Sequence, residues 1–369
     1  CIEVWTLDVG LVDSKLIKDI NLPKYKLLKA LNLLKNNIFA YKVLCNLLIL
    51  MSPAKYFFDL IRLSILNLTS SPVSKNMQDL VVTDSEKSHK NFSRISDGFF
   101  ESVDILHYKD LRSFSSFLVW EDILIIYNEI RIFRTHIKKI SDNLTKTQYK
   151  ELVLHSLDLV SVIAFVVILN KFNKSKKNIY FDQHIQRWAF LISHIIDSNK
   201  ANLVQHGFLD ASVSFTHAFG SINSASIVSN DFKSEFEKIY SIGSFKLLNT
   251  NLPIKYVEPS NKNITIFLAS QPNSIELETI FIELCIRKNI NCLIKLHPKY
   301  NYASAFHRFK NFSVIKFIKP DVFPDCDVMV SYNSFLGYEY RSLGYMVYFL
   351  VDYPSIEDMK AILDKTLSL

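Results

Sequence analysis

Cysteine is scarce in this chain: five in 369 residues, at positions 1, 45, 285, 292 and 326. The number is odd, and no C-x-x-C or Cys/His ligand pair occurs. This argues against a disulfide framework and a structural zinc and implies a reduced, cytoplasmic setting. Charge of one sign is also in short supply. Lys and Arg total 43 against 36 Asp and Glu, a formal net charge of +7. That excess suits an anionic small ligand or an anionic membrane surface and is too weak for a nucleic-acid binder. No basic run interleaved with aromatics supports RNA or DNA. No internal repeat of fixed short period is visible. The start does not read as a secretory signal either, since Glu3 and Asp8 fall in its first ten residues without a basic lead. The first residue is Cys1 and not Met, so a truncated N-terminus is expected.

What is present is apolar. Hydrophobic residues make up 49% and charged residues 21%, a globular composition, and the length suffices for two domains. The first half reads as helix-rich. A strand is expected over Ile2–Val9, then helical spacing over 15–68 interrupted at Pro23 and Pro53, with an apolar patch around Val43, Leu44, Leu47, Leu48 and Leu50. Short strands are expected at Leu80–Thr83 and Val103–His107, with a polar loop, Ser85–Ser96, between them. A helix follows over Phe114–Ile140, its basic end suited to a helix C-terminus. Leu152–Leu169 is apolar enough to raise a membrane span, but His155 and Asp158 inside it are costly in lipid, so a buried helix is expected. The basic run Lys171–Lys177 reads as a solvated face, with contact to anionic headgroups as its alternative.

From Asn178 strands and helices alternate: strands at Asn178–Phe181, Ala201–Val204 and Ala225–Val228, helices at Ile185–Ile196 and Phe232–Tyr240. The stretch 247–262, rich in Asn, Pro and Ser, reads as a linker between domains at 1–246 and 263–369. The second domain repeats the alternation: strand Ile264–Leu268, loop Ser270–Ser274, helix Glu276–Lys288, strands Asn291–Leu296, Phe312–Ile318, Asp327–Val330 and Tyr345–Leu350, and a closing helix over Ser355–Leu367. Such alternation implies an α/β protein with parallel sheets and right-handed crossovers.

Three polar clusters fall at expected strand ends: Gln205-His206-Gly207, Lys295-Leu296-His297-Pro298, and Ser331-x-x-Ser334 followed by Glu339. Ligands of open α/β sheets bind off the carboxyl ends of strands, where helix N-termini hold anions. Each cluster alone has an ordinary structural explanation. Ser is a preferred N-cap, Gly207 suits a turn, Pro298 stops a strand, and a histidine after a strand is commonly structural. The three together make the pattern.

In that order the clusters resemble GT-B glycosyltransferases and polyol-phosphate transferases of bacterial surface polymers, of capsule, sialyl- and polysialyl- and teichoic acid type. The resemblance covers Ile179 to Tyr353, roughly half the chain; residues 1–178 carry none. It implies two facing Rossmann-like domains, with helical additions in the N-terminal one. It further implies that His297 contacts the nucleotide phosphate and eases its departure, with Ser331 and Ser334 on phosphate oxygens. Lys295 and Ser270 complete the donor site, and Glu339 faces the ribose or base. His206 would be the general base for an acceptor hydroxyl, a task suited to imidazole. Asp182 is the rival base, an orienting partner of His206, or a helix cap.

The sequence departs from the resemblance in places. Its serine turn is the bulky Ser-Tyr-Asn-Ser, Tyr345 stands where proline often precedes the last strand, and the tandem acidic-acidic-glycine motif of sialyltransferases is missing. The one D-x-D triplet, Asp325-Cys326-Asp327, leads into a strand instead of ending one, which disfavours metal chelation. The expected function is metal-independent, inverting transfer of a sugar from a nucleotide-activated donor to a glycan or lipid-linked glycan acceptor. No cofactor is needed beyond the donor itself. Alternatives are a CDP-polyol phosphotransferase, a nucleotide-sugar epimerase and a non-catalytic scaffold of the same fold. A cytoplasmic location is expected, with peripheral contact to an anionic membrane at the inner face.

Overall fold

A computed structural model describes residues 38–69, 78–83, 92–95, 99, 103–108, 110–141, 156–182, 187–207, 219–250, 252–258, 264–297 and 303–368. The strand expected at Ile2–Val9, the helix before residue 38, most of the loop Ser85–Ser96, His155 and Pro298 lie outside them. The chain divides into two units, residues 1–227 with 232–246 and residues 228–231 with 247–369.

Unit 1 is built on a sheet of β1 (Asp79–Thr83), β2 (Val103–His107), β3 (Ile179–Phe181), β4 (Ala201–Val204), β5 (Ser221–Ile227) and β6 (Ser241–Leu247), in the order β2-β1-β3-β4-β5-β6. The pairs β1–β2, β1–β3, β3–β4 and β4–β5 are parallel. Strands in such sheets are covered on both faces, so they read as unbroken apolar runs. Leu80, Val81 and Val82 are accordingly all buried. β6 escapes that rule. Its side chains are mostly open at the sheet edge.

Among the described residues this unit holds the helices α1 (Ile38–Thr69), α2 (Leu111–Ser115), α3 (Trp120–Ser141), α4 (Leu159–Lys174), α5 (Arg187–Ile195) and α6 (Lys233–Glu237). The single helix expected over Phe114–Ile140 is two. Asp122 reaches back to the Val119 N–H at 2.7 Å and starts α3 afresh, while Asp110 caps α2 by accepting from the Arg112 N–H. Ser156–Lys174 is the one stretch among the described residues long and apolar enough to cross a membrane, and 72% of it is buried inside the protein. It packs against α1, α2, α3 and α5. Arg187 pairs with Asp158 at 2.7 Å and ties the starts of α4 and α5 together.

Unit 2 holds β8 (Thr265–Ala269), β9 (Asn291–Lys295), β10 (Ile315–Ile318), β12 (Val328–Ser331) and β13 (Met346–Phe349) in the order β10-β9-β8-β12-β13, every pair parallel. A small parallel pair joins β7 (Ile254–Lys255) to β11 (Phe323–Pro324). Its helices are α7 (Ile275–Arg287), α8 (Phe335–Ser342) and α9 (Ile356–Leu367). Ser355 and Asp358 form a full capping box on α9. Alternate side chains of the sheet feed two cores. Ile266, Leu268 and Val330 meet Phe281 and Cys285 of α7 and Ile362 of α9, whereas Phe267, Leu293 and Met329 meet Tyr340 of α8. The protein is therefore α/β, with two parallel-sheet units of Rossmann-like topology.

Candidate functional site

In doubly wound sheets the ligand crevice opens where strand order reverses, at the carboxyl ends of the two strands flanking that point. Numbered within unit 2, the order is 3-2-1-4-5, so the reversal lies between β8 and β12. The register sets Lys295, Ala269, Ser331 and Phe349 in one row across the carboxyl edge. Apolar residues must fill the strand interiors, so the first polar residue after each run marks this edge.

The two loops flanking the reversal are tied together, since Gln271 Nε2 donates to the Asn333 carbonyl at 3.3 Å. The loop after β8 is closed on itself. Glu278 of α7 is fully buried, and its carboxylate accepts from the Ser270 hydroxyl, from the Gln271 N–H at 2.8 Å and from the Ser274 hydroxyl at 2.6 Å. Burial pushes the Glu278 carboxyl up, and these three hydrogen bonds pull it back only in part. Loops of this kind offer such donors to phosphate in many folds. Here the chain supplies its own anion.

The loop after β12 is differently arranged. Ser334 is the N-cap of α8, and its hydroxyl oxygen accepts the Gly337 N–H at 3.2 Å. Ser331 is wholly buried, yet among the described residues its Oγ meets no hydrogen-bond partner, and neither does Asn333 Oδ1. Unpaired buried polar atoms are rare and call for an explanation. Ser331 Oγ lies against the first turn of α8, 3.1 Å from where a Cβ on Gly337 would stand. The glycine is required there, because the same Cβ would fall 2.5 Å from the Phe349 ring.

Two more residues of the row contribute charge. Lys295 Nζ sits 3.5 Å over the Phe323 ring and donates to the Val322 carbonyl at 3.1 Å. Burial lowers its pKa to about 8, against the opposing pull of Asp321 and Glu339. Glu339, half-buried on α8, is thus near enough to Lys295 to act on it. His297, also half-buried, follows β9 two residues beyond Lys295. Ser270, Lys295, His297, Ser331, Ser334 and Glu339 belong to this one edge and its adjoining helix. Gln271, Glu278 and Asn333 were not singled out from sequence. Asp325 and Asp327 stand at the opposite end of β12, where Asp325 accepts from the Tyr345 hydroxyl and Asp327 from the Thr265 N–H.

Unit 1 reverses between β1 and β3. Thr83 ends β1, Asp182 follows β3, and the Thr83 hydroxyl donates to the Asp182 carboxylate at 3.2 Å. Both side chains are fully buried. Gln205 and half-buried His206 follow the neighbouring β4, with Gln205 Nε2 donating to the Gly207 carbonyl at 3.2 Å. His107 ends β2 on the other flank, its backbone N–H held by Ser113 at 2.8 Å. Thr83 and His107 were missed, because each closes an apolar run without a companion motif.

No family profile and no curated protein sequence matches the chain. The solved structure of UDP-N-acetylglucosamine 2-epimerase from Rickettsia bellii is similar over 73% of this chain and 78% of that one, with a TM-score of 0.35 and 9% identity. So distant a likeness identifies neither family nor activity.

Proposed function

We propose that this protein transfers a sugar from a nucleotide-activated donor to a hydroxyl of a surface glycan, with inversion and without a metal. The observation that carries the reading is the buried, unpartnered Ser331 Oγ beside the first turn of α8. It lies at the strand-order reversal of a sheet with dinucleotide-fold topology. A phosphate oxygen there would accept from Ser331 at the positive end of the α8 dipole. Glu278 already occupies the donors of the neighbouring loop, which favours the α8 turn over the α7 turn as the anion site. Lys295 at the end of β9 and His297 just after it would offset leaving-group charge, and Glu339 would face the ribose or base.

The acceptor side of the reading uses His206. A base must reach an acceptor hydroxyl, and half-buried His206 is better suited to that than Asp182, whose carboxylate is already engaged by the Thr83 hydroxyl. Asp182 suits an orienting role. The test is incubation with nucleotide sugars and glycan acceptors, with products read by mass spectrometry. His206→Ala should lower turnover roughly 10²–10⁴-fold and leave nucleotide affinity unchanged. Full activity in that variant, with turnover lost in Asp182→Asn, would reverse the assignment. Glycerol-phosphate transfer from CDP-glycerol, or epimerisation of UDP-N-acetylglucosamine without acceptor, would replace the reading altogether.

A further inference from the structure

The helices of unit 1 are apolar on the wrong side. α1 packs against α2, α3 and α4 through one face. Its opposite face leaves Leu50 77%, Phe57 59%, Phe58 68%, Ile65 56% and Leu68 76% exposed. At 1.5 Å per residue that stripe runs roughly 27 Å. A helix that is apolar all round is normally covered all round, and exposed apolar patches of this extent mark an interaction surface. α3, which packs on α1, adds half-exposed Trp120, Leu124 and Tyr127 and then turns basic, with Arg131, Arg134 and Lys139 open to solvent.

Charge chooses the occupant. Arg62 is exposed on the apolar side of α1, whereas Asp59 on the same helix is half-buried and paired with Lys55. Among the described side chains of α1 and α3, Glu121 is the one exposed carboxylate, with Glu129 half-buried and Asp122 buried. A two-fold dimer through this face would set the patch against itself, cation facing cation. An anionic bilayer supplies the missing charge. It also suits Trp120 and Tyr127, whose rings favour the headgroup level. Lys171, from the basic run considered earlier, is engaged by Asp122 and the Phe117 carbonyl.

We infer that the open sides of α1 and α3 form a face that rests on an anionic lipid surface, with the apolar stripe in the headgroup–acyl boundary and the arginines on lipid phosphates. The inference is independent of the chemistry assigned to the two crevices. It is tested by flotation of the full chain with phosphatidylcholine vesicles and with phosphatidylcholine–phosphatidylglycerol vesicles, at low and high salt. Binding is expected to the anionic vesicles and to weaken with salt. The double change Phe57→Asp with Phe58→Asp should lower partitioning on the order of a hundredfold. Arg131→Gln with Arg134→Gln should reduce the preference for anionic over neutral vesicles on the order of tenfold. Circular dichroism and thermal unfolding check that each variant is folded, and the arginine pair serves if the phenylalanine pair is not. Absence of vesicle binding by the folded wild-type chain at low salt overturns the inference. So does a dimer, by light scattering, that Phe58→Asp dissociates while wild-type protein ignores vesicles.

Discussion

The carboxylate of Glu278 accepts the backbone N–H of Gln271 at 2.8 Å, so a side chain of α7 neutralises the loop that opens its own helix. Ser270 and Ser274 complete the ring of donors. Glu278→Ala would take this acceptor from two hydroxyls and an N–H, of which the Ser274 hydroxyl keeps the Gln271 carbonyl at 3.1 Å. A buried donor left without an acceptor costs about 1–3 kcal/mol. The expected loss is of that order, read by denaturant unfolding. The pH response has a defined sign. Burial raises the folded-state pKa of this acid, so the folded chain binds more protons than the unfolded one above the ordinary value of 4.5. Stability contributed by Glu278 should fall as pH rises from that value through the raised one. Glu278→Gln should lose this dependence, and an unchanged pH profile would contradict the burial argument.

Gly337→Ala should reverse the usual sign of a helix substitution. In an open helix interior the change stabilises by roughly 1 kcal/mol. Here the new methyl meets the Phe349 ring and the Ser331 hydroxyl. Overpacking of that kind costs about 1–3 kcal/mol. A lower melting temperature, with weakened nucleotide binding, is expected. A stabilised variant would mean that Phe349 yields freely.

Lys295 gives the site a pH limit. With a pKa lowered to about 8, the free protein loses this positive charge as pH rises through that value. Affinity for a nucleotide diphosphate should fall over the same range. Lys295→Arg stays charged and should remove that fall, while Lys295→Met should weaken binding throughout and also remove it. Stability runs the other way. The unfolded chain binds more protons between about 8 and the ordinary lysine value of 10.5, so the Lys295 contribution to stability rises with pH across that window. Isothermal titration over pH checks the first, and denaturant unfolding the second.

Much of this arrangement was legible in the sequence for one reason. Strands covered on both faces must be continuous apolar runs, so Ile179–Phe181 and Val328–Val330 stand out and the polar residues that follow them, Asp182 and Ser331, mark an edge. β6 was not legible, because an exposed edge strand has no apolar run to show. The break before Trp120 was hidden because Asp122, the residue that makes it, also fits a helix. Glu278 reads as a surface position of an amphipathic helix, and only the tertiary fold seals it over three donors. Ser331 was visible as a candidate, but its lack of a partner is a property of packing and not of spacing.

The measurement that most directly tests the account is nucleotide titration of wild type and Ser331→Ala, first by thermal shift against CMP, CDP, UDP, GDP and TDP, then by calorimetry with the best of them. A ligand at a hundred times its dissociation constant stabilises by about 2.7 kcal/mol, which a melting curve resolves. Ser331 Oγ has no partner among the described residues, so its removal should leave the stability of the free protein unchanged within about 0.5 kcal/mol. Loss of a charge-assisted bond to phosphate should weaken the nucleotide by about 1.5–3 kcal/mol, roughly tenfold to a hundredfold. A variant that unfolds more easily yet binds as well as wild type, or a wild-type chain that binds none of the five, would contradict the account.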